Sequence, residues 1–254
     1  MTNFQFLQKY MSLQKDVMYD RLFDLGFAEI GYCENDKSSF WNLALIERLI
    51  DKTQLLEIEN KLIGLERKPA LYFEEHEGMS NFSIDSGYCK SNGDCWLFYE
   101  SEVVDPKNFE MVKKVETDED LEIFIKIFND CYQKDDPQNP YGELGEYLEV
   151  ARNAWHKHRN TNRLEYFIVY KNKIPVAVST LNNFQGIGYI SNVGSLRSVR
   201  GEGFGKLATL YCVAESRKKS NTIQCLTTED DNYPHEFYQR IGFKHKFTAL
   251  LFVK

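Results

Sequence analysis

The sequence has little proline and little histidine, with 6 and 5 residues among 254. It has no run of about 20 apolar residues of the kind that spans a membrane, and its start lacks the basic region and apolar core of a signal peptide. Lysine and arginine (31) are fewer than aspartate and glutamate (38), which gives a net charge of −7. Nucleic acids and anionic membranes require a basic surface, so we expect a cytoplasmic protein that binds neither.

The six cysteines include no Cys-x-x-Cys pair. Cys131, Cys212 and Cys225 lie inside apolar patterns and are predicted to be small core residues of a reduced protein. Cys89 and Cys95 are close in sequence, but no nearby segment offers the two further ligands that a structural metal needs. We therefore predict no metal site.

The composition is that of a folded protein with a sizeable core. Apolar residues make up 43% of the chain and aromatic residues 14%, and 254 residues suffice for one large domain or two of ordinary size. The polar segment 102–108 contains Asp105 and Pro106 and is typical of a linker. The predicted domains are therefore 1–105 and 106–254.

Apolar periodicity predicts the elements of the first half. The spacing of apolar residues over 3–25 is close to helical, and Gly26 is predicted to end that helix. A second helix is predicted over 53–66. The predicted strands are 69–73 and 94–99, and 40–46 is predicted to be a strand or a buried segment.

The sequence of the second half predicts the element order β-α-α-β-β-β-α-β-α-β, which indicates a mixed α/β domain. Thr117 and Asp120 have the spacing of a capping box, and Asp231 or Asn232 is predicted to cap the last helix. The two strands around the turn at 171–173 have the pattern of a hairpin. The predicted segments are strand 111–115, helices from 117 and over 143–158, strands 165–170, 174–181 and 188–193, a helix from 203, strand 222–228, a helix that ends at Gly242, and strand 243–253.

A glycine-rich loop within Val193–Lys206 is the most informative stretch. An apolar strand pattern leads into glycines at positions 201, 203 and 205, and a helical pattern begins immediately afterwards. Glycine allows backbone N–H groups to converge, and the start of a helix adds about half a positive charge. Arg200 adds a full charge. The loop is therefore predicted to bind a phosphate or a pyrophosphate.

Two common phosphate-binding patterns do not fit this loop. A Walker loop requires Ser or Thr after its lysine, but Leu207 follows Lys206. A dinucleotide-binding fingerprint requires glycine where Lys206 stands. The pattern that does fit is Arg-x-x-Gly-x-Gly, formed by Arg200, Gly203 and Gly205.

This pattern, followed by Glu236–Phe243 with its Tyr-x-x-x-Gly-Phe ending, resembles the GNAT superfamily of N-acetyltransferases over residues 111–254. The resemblance implies a GNAT-like acyltransferase fold with acetyl-CoA as cosubstrate. It places the pyrophosphate on the N–H groups of 200–206 and the pantetheine arm beside 193–196, between splayed strands. The cofactor-binding residues that it implies are Val193, Ser195, Arg200, Gly201, Gly203, Phe204, Gly205 and Lys206.

The resemblance also implies catalytic roles. The backbone N–H near Ser195 would polarise the thioester carbonyl, where negative charge develops during attack. Ser195 stands where some relatives have Thr and many have Val, so a role for its hydroxyl stays open. Tyr238 matches the tyrosine that protonates the CoA thiolate, and a phenol pKa of ~10 lies close to the ~8.5 of a thiol. Packing in the core beside Phe237 is the alternative role for Tyr238.

The general base is less clearly indicated. Many relatives carry a glutamate on the strand before the glycine loop, but 187–196 contains no carboxylate. Glu229 and Asp230, at the end of the following strand, are the nearest candidates. Their alternative role is that of solvated charges at a turn, and a water relay is a third option.

The first half is similar to the second in three segments at matching separations. These are 70–75 against 224–229, 86–88 against 241–243, and 95–100 against 249–254. We interpret the chain as a tandem arrangement with a divergent GNAT-like first half, whose residues 47–55 contain no glycine loop. This half would then lack a cofactor site and would form one side of the acceptor site. Chance similarity of two αβ segments is the alternative.

The sequence thus predicts an N-acetyltransferase that moves an acetyl group from acetyl-CoA to a primary amine of a small molecule, a protein terminus or a side chain. A CoA-binding sensor or interaction module without turnover is the alternative, favoured by the missing strand carboxylate. The acceptor is not identified by any motif, and a homodimer stays open.

Overall fold

The computed structural model describes residues 1–136, 138–139, 142–229 and 232–254. The helices, in chain order, are α1 (Asn3–Gln14), α2 (Lys52–Gly64), α3 (Glu77–Asp85), α4 (Asp118–Cys131), α5 (Tyr147–His158), α6 (Phe204–Lys218) and α7 (Tyr233–Arg240). The strands are β1 (Arg21–Asp24), β2 (Ala28–Tyr32), β3 (Leu43–Ile46), β4 (Ala70–Glu74), β5 (Cys89–Tyr99), β6 (Val112–Lys114), β7 (Leu164–Lys171), β8 (Ile174–Phe184), β9 (Ile187–Ser195), β10 (Ile223–Glu229) and β11 (Phe243–Val253).

The chain divides into two compact units. Unit 1 consists of Met1–Trp96, Thr228–Asp230 and His245–Lys254, and unit 2 consists of Leu97–Thr227 and Asp231–Lys244. The division of the chain into domains 1–105 and 106–254 stays a prediction. None of the described helices combines the length and the apolar character needed to span a bilayer.

Unit 1 contains a mixed sheet with the strand order β1-β2-β3-β4-β11-β5. The β3–β4 pair is parallel, whereas the β1–β2, β2–β3 and β4–β11 pairs are antiparallel. The apolar face of α2 lies in the core of this unit with Leu55, Ile58 and Leu62, as the helical spacing predicts. Phe73 of β4 and Phe252 of β11 stack at 5.4 Å between ring centroids in the same core.

The prediction of one helix over 3–25 is wrong beyond residue 14. Lys15 is extended and Asp16 has a φ of 67°, so the helix cannot continue. Tyr19 then packs on Gly31, where a Cβ would lie 2.5 Å from the tyrosine ring. Gly26, with a φ of 79°, turns the β1–β2 hairpin and does not end a helix. Contacts between distant residues therefore override the local helical spacing.

Unit 2 contains the strand order β10-β9-β8-β7-β6, and the predicted series of strands and helices is confirmed over 112–253. The capping box of Thr117 and Asp120 is present at the start of α4. Asn232 caps α7 by accepting a hydrogen bond from the N–H of His235. The alternative cap, Asp231, lies outside the described residues.

The two halves of the chain repeat one order of elements. The first half contains β3-α2-β4-α3-β5, and the second contains β9-α6-β10-α7-β11. The first two strands of each series pair in parallel. In each series a glycine with positive φ precedes the last strand, Gly87 at 85° and Gly242 at 110°. This agreement in topology supports the tandem interpretation.

Candidate functional site

The glycine loop joins β9 to α6 and is anchored at both ends by apolar side chains. A 3₁₀ turn over Arg197–Val199 follows β9. Val199 and Phe204 are buried in a cluster with Val169, Val176, Ala177 and Ala208. The residues between the two anchors are exposed or partly exposed. Phe204 was predicted to bind the cofactor, and because its ring lies in the core, only its backbone is available at the loop.

Two of the glycines are required by the backbone conformation. Gly201 has a φ of 82° and Gly203 a φ of 91°, which are left-handed values that cost other residues energy. A Cβ at either position would meet no atom within 4 Å, so space is not the reason for glycine. Gly205 differs, because a Cβ there would lie 3.7 Å from Phe237 Cζ and 3.9 Å from Ser195 Oγ. The loop, the end of β9 and α7 therefore meet at Gly205.

The start of α6 presents N–H groups that the described residues do not use. Its N-cap, Gly203, has no side chain that can accept a hydrogen bond. The helical pattern begins with the N–H of Leu207, which donates to the Gly203 carbonyl at 2.9 Å. Within the described part of the chain, the N–H groups of 201 and 203–206 donate to no acceptor. Such groups, together with the helix dipole, form a site for an anion such as a phosphate.

The charges around the loop are distributed differently from the prediction. Both terminal nitrogens of Arg200 donate to the carboxylate of Asp136, Nη1 to Oδ1 at 2.7 Å and Nη2 to Oδ2. Arg197 donates to Asp135. The Arg200 guanidinium holds the pKa of Asp136 below its usual value. Lys206 is exposed, so it contributes a positive charge that faces solvent.

Strand β9 contains a β-bulge just before the loop. Its register with β8 shifts by one residue between the pairs Thr180–Ser191 and Val178–Gly194. Asn192 lies in this interval with a φ of 53°, and its amide donates to Thr180 Oγ1 at 3.1 Å. A bulge bends a strand and redirects its side chains, and bulges are common near active sites.

The last residue of α4 and the residue that follows it pack on the bulged end of β9. A Cβ at Gly194 would lie 2.6 Å from Cys131 Cβ, so only glycine fits there. The hydroxyl of Tyr132 donates to the Val193 carbonyl at 3.0 Å. The N–H of Leu196 donates to the Val176 carbonyl at 2.9 Å. Gly194 and Tyr132 were not among the predicted site residues, and neither belongs to the loop pattern.

Strands β9 and β10 pair over only part of their length. The parallel pairing joins Ile187–Tyr189 to Ile223–Cys225, whereas β9 continues to Ser195. The next contact, between the hydroxyls of Tyr189 and Thr227, is a side-chain hydrogen bond of 3.0 Å. Beyond Tyr189, the backbone groups of β9 that face β10 are therefore not used in the described pairing.

Tyr238 lies in the middle of α7 and is 9% exposed. Its ring packs edge-to-face against Phe237 at 5.0 Å and Phe243 at 5.7 Å between centroids. Phe237, the neighbouring residue, is the one that faces Gly205. The structure thus brings α7 to the loop, and Tyr238 is held by aromatic packing one residue from that contact.

Glu229, the candidate base, ends β10 and belongs to unit 1. Burial raises the pKa of Glu229. In the same unit, burial raises the pKa of Asp94 to about 6, and the charge of Glu229 contributes to that shift. The hydroxyl of Tyr72 donates to Asp94 Oδ2 at 2.8 Å, and Trp96 Nε1 donates to the Tyr72 hydroxyl at 3.2 Å. Sequence reasoning missed Asp94, which it treated only as the start of a strand.

Helix α2, the counterpart of α6 in the first half, starts in a different way. Its N-cap is Asp51, whose carboxylate accepts the N–H of Gln54 at 2.9 Å, and the Gln54 side chain accepts the Asp51 N–H. A carboxylate at this position uses an N–H group of the helix start that an anion would need, and its negative charge repels an anion. The first half therefore contains no second copy of the glycine loop.

Solved structures define the class of this fold. A GCN5-related N-acetyltransferase from Kribbella flavida is 20% identical with a TM-score of 0.68, over 98% of this chain and 94% of that chain. A functionally unknown conserved protein from Staphylococcus epidermidis is 14% identical with a TM-score of 0.64, over 94% of each chain. A tandem GNAT protein from the clavulanic acid biosynthesis pathway is 10% identical with a TM-score of 0.55, over 89% of this chain and 78% of that chain. The fold is thus that of GNAT proteins over nearly the whole chain.

The family assignment rests on the second half. Residues 121–243 match the model of the acetyltransferase (GNAT) family, so this segment is a GNAT domain. No curated protein matches the sequence. The predicted family and the mixed α/β fold are therefore confirmed, and the family indicates transfer of an acyl group.

Proposed function

We propose that the protein is an acetyl-CoA-dependent N-acetyltransferase that acts on a primary amine. The observation that carries this proposal is the uncapped start of α6. There Gly201 and Gly203 have left-handed φ values, and the N–H groups of 201 and 203–206 donate to no described acceptor. Such a site fits a pyrophosphate, and the family supplies acyl transfer as the chemistry.

In this proposal the pyrophosphate of CoA binds to the N–H groups of 201–206, and Lys206 adds an exposed positive charge. The backbone of β9 from Val193 to Ser195, next to its bulge, binds the pantetheine arm. Support comes from the pairing of β9 with β10, which ends at Tyr189, so that the later residues of β9 take no part in it. Bound acetyl-CoA supplies an activated acetyl group as a thioester.

Three residues carry the proposed chemistry. Glu229 accepts a proton from the acceptor ammonium, so that the nitrogen lone pair can attack the thioester carbonyl carbon. The backbone N–H near Ser195 stabilises the negative charge on the carbonyl oxygen. As the C–N bond forms and the C–S bond breaks, Tyr238 donates its proton to the departing thiolate, and the second proton that the nitrogen loses on amide formation restores the Tyr238 phenol. A half-buried carboxylate with a raised pKa suits the base, because it binds a proton more tightly than an exposed one.

The proposal is tested by thiol release from acetyl-CoA with a panel of small amines and peptides, with the acetylated product identified by mass spectrometry. Tyr238→Phe should lower kcat by about 100-fold or more with little change in CoA affinity, because only the proton donor is lost. Tyr233→Phe is the matched control, since Tyr233 lies in the same helix but is 47% exposed. Unchanged turnover of Tyr238→Phe would remove Tyr238 from the acid role.

A CoA-binding sensor is the second candidate, favoured by the absence of any carboxylate from β9. It predicts CoA binding without thiol release for every acceptor. Thiol release with any amine above the rate of hydrolysis would exclude it.

A further inference from the structure

Described residues from the end of α4 to the start of α5 contact the glycine loop and β9 within unit 2. Cys131 packs on Gly194, and Tyr132 donates to the Val193 carbonyl. Tyr147 donates to Asn192 Oδ1 at 2.9 Å. Asp135 accepts hydrogen bonds from Arg197, and Asp136 accepts from Arg200 of the loop itself.

The Asp136–Arg200 pair is the most buried of these polar contacts. The Asp136 side chain is 1% exposed and that of Arg200 is 22% exposed. Asp136 also accepts the N–H of Gln138 at 3.0 Å, and its own N–H donates to the Gln133 carbonyl at 3.1 Å. Both carboxylate oxygens are therefore engaged, and the carboxylate is fixed to its own segment.

Removal of Arg200 from this pair would leave the buried Asp136 charge with Arg197 as its counter-charge, whose side chain is 48% exposed and whose Nε lies 4.0 Å from Asp136 Oδ2. Loss of one partner from a buried pair is strongly unfavourable, because the remaining charge has lost both water and its counter-charge. The N–H groups of the loop can already bind a pyrophosphate, so its binding does not require Arg200 to break the ion pair with Asp136. Arg200 should therefore stay on Asp136 when CoA is bound.

We infer that Asp136 is a positioning residue for the CoA loop and that Arg200 braces the loop without binding the pyrophosphate. This inference rests on the proposed function. Arg200 is three residues before Gly203, so the pair fixes the loop next to its left-handed glycines. The arginine of the Arg-x-x-Gly-x-Gly pattern is thus assigned a structural partner in this chain.

The test measures KM for acetyl-CoA and kcat in single and double variants. Asp136→Asn should raise KM about tenfold and leave kcat within about twofold, because the loop loosens and the reacting groups do not change. Arg200→Gln should raise KM similarly. Asp135→Asn is the matched control, since Asp135 is 81% exposed and pairs with Arg197, and its KM should not change.

The double variant Asp136→Asn/Arg200→Gln separates a brace from a direct phosphate ligand. It replaces the ion pair by two amides that can hydrogen-bond, so a brace predicts a lower KM than that of Arg200→Gln alone. A direct ligand predicts a KM at least as high as that of Arg200→Gln. Because no unpaired charge is left, the double variant also serves if Asp136→Asn fails to fold.

Three further results would overturn the inference. Tighter binding in Asp136→Asn would mean that Asp136 competes with the pyrophosphate for Arg200. An unchanged KM in a folded Asp136→Asn, with CoA binding intact in the unmodified protein, would mean that the pair does not position the loop. Absence of CoA binding in the unmodified protein would instead contradict the proposed function, and the inference with it.

Discussion

Substitution of Gly203 by alanine perturbs the proposed CoA site at its most constrained point. Gly203 is the N-cap of α6 and has a φ of 91°, and a Cβ there would meet no atom within 4 Å. The penalty is therefore conformational and not steric. A left-handed conformation costs an L-residue roughly 1–2 kcal/mol.

This conformational penalty lowers the affinity for CoA when the loop relaxes to avoid it. Alanine favours a negative φ, and rotation to such a value turns the N–H groups at the start of α6 away from a common point. At about 1.4 kcal/mol per tenfold change, the loss of affinity should be roughly 5- to 30-fold. Titration calorimetry with CoA measures this loss, and thermal unfolding of the same samples measures stability.

Gly87→Ala is the matched control. Gly87 has a φ of 85°, a Cβ there would also meet no atom within 4 Å, and it follows α3 in unit 1, outside the loop. We expect Gly87→Ala to lower the unfolding temperature while CoA affinity is unchanged. Unchanged affinity in Gly203→Ala, or an equal loss in both variants, would refute the assignment of the CoA site to the start of α6.

Two further predictions concern the carboxylates of unit 1. Burial raises the pKa of Glu229, and a base acts as its carboxylate, so kcat/KM should rise with pH through a value above the ~4.3 of an exposed glutamate. Glu229→Gln should remove this rise of kcat/KM with pH when the acceptor is a primary alkylamine, whose ammonium stays protonated throughout the range; a rise that persists would exclude Glu229 as the base. The pKa of Asp94 is raised to about 6, so its ionisation destabilises the fold as pH rises from about 4 through 6. The unfolding temperature of Asp94→Asn should therefore rise relative to that of the unmodified protein as pH increases over this range. A difference in unfolding temperature that does not change with pH would contradict the raised pKa of Asp94.

Much of the second half was predictable from sequence because its signals are local. The capping box at Thr117, the hairpin turn near 171–173 and the strand-loop-helix around Gly203 each depend on residues within a few positions. Period-2 and helical patterns then fix which faces are buried. Local signals suffice where tertiary contacts agree with them.

The errors and omissions arise where distant residues decide the structure. Helical spacing continues past residue 14, but the fit of Tyr19 over Gly31 and the left-handed Asp16 favour a strand. Asp136 lies in a segment rich in breakers, which has no periodicity to indicate a buried partner for Arg200. Asp94 acquires its raised pKa through burial beside Tyr72, a contact that spans 22 residues.

Calorimetric titration of CoA into the unmodified protein tests the central claim most directly. One glycine loop with an uncapped helix start, and a counterpart helix whose N-cap is Asp51, predict one CoA bound per chain. The heat of that single site should be lost or strongly reduced in Gly203→Ala. Two sites per chain, or no binding at all, would contradict the account.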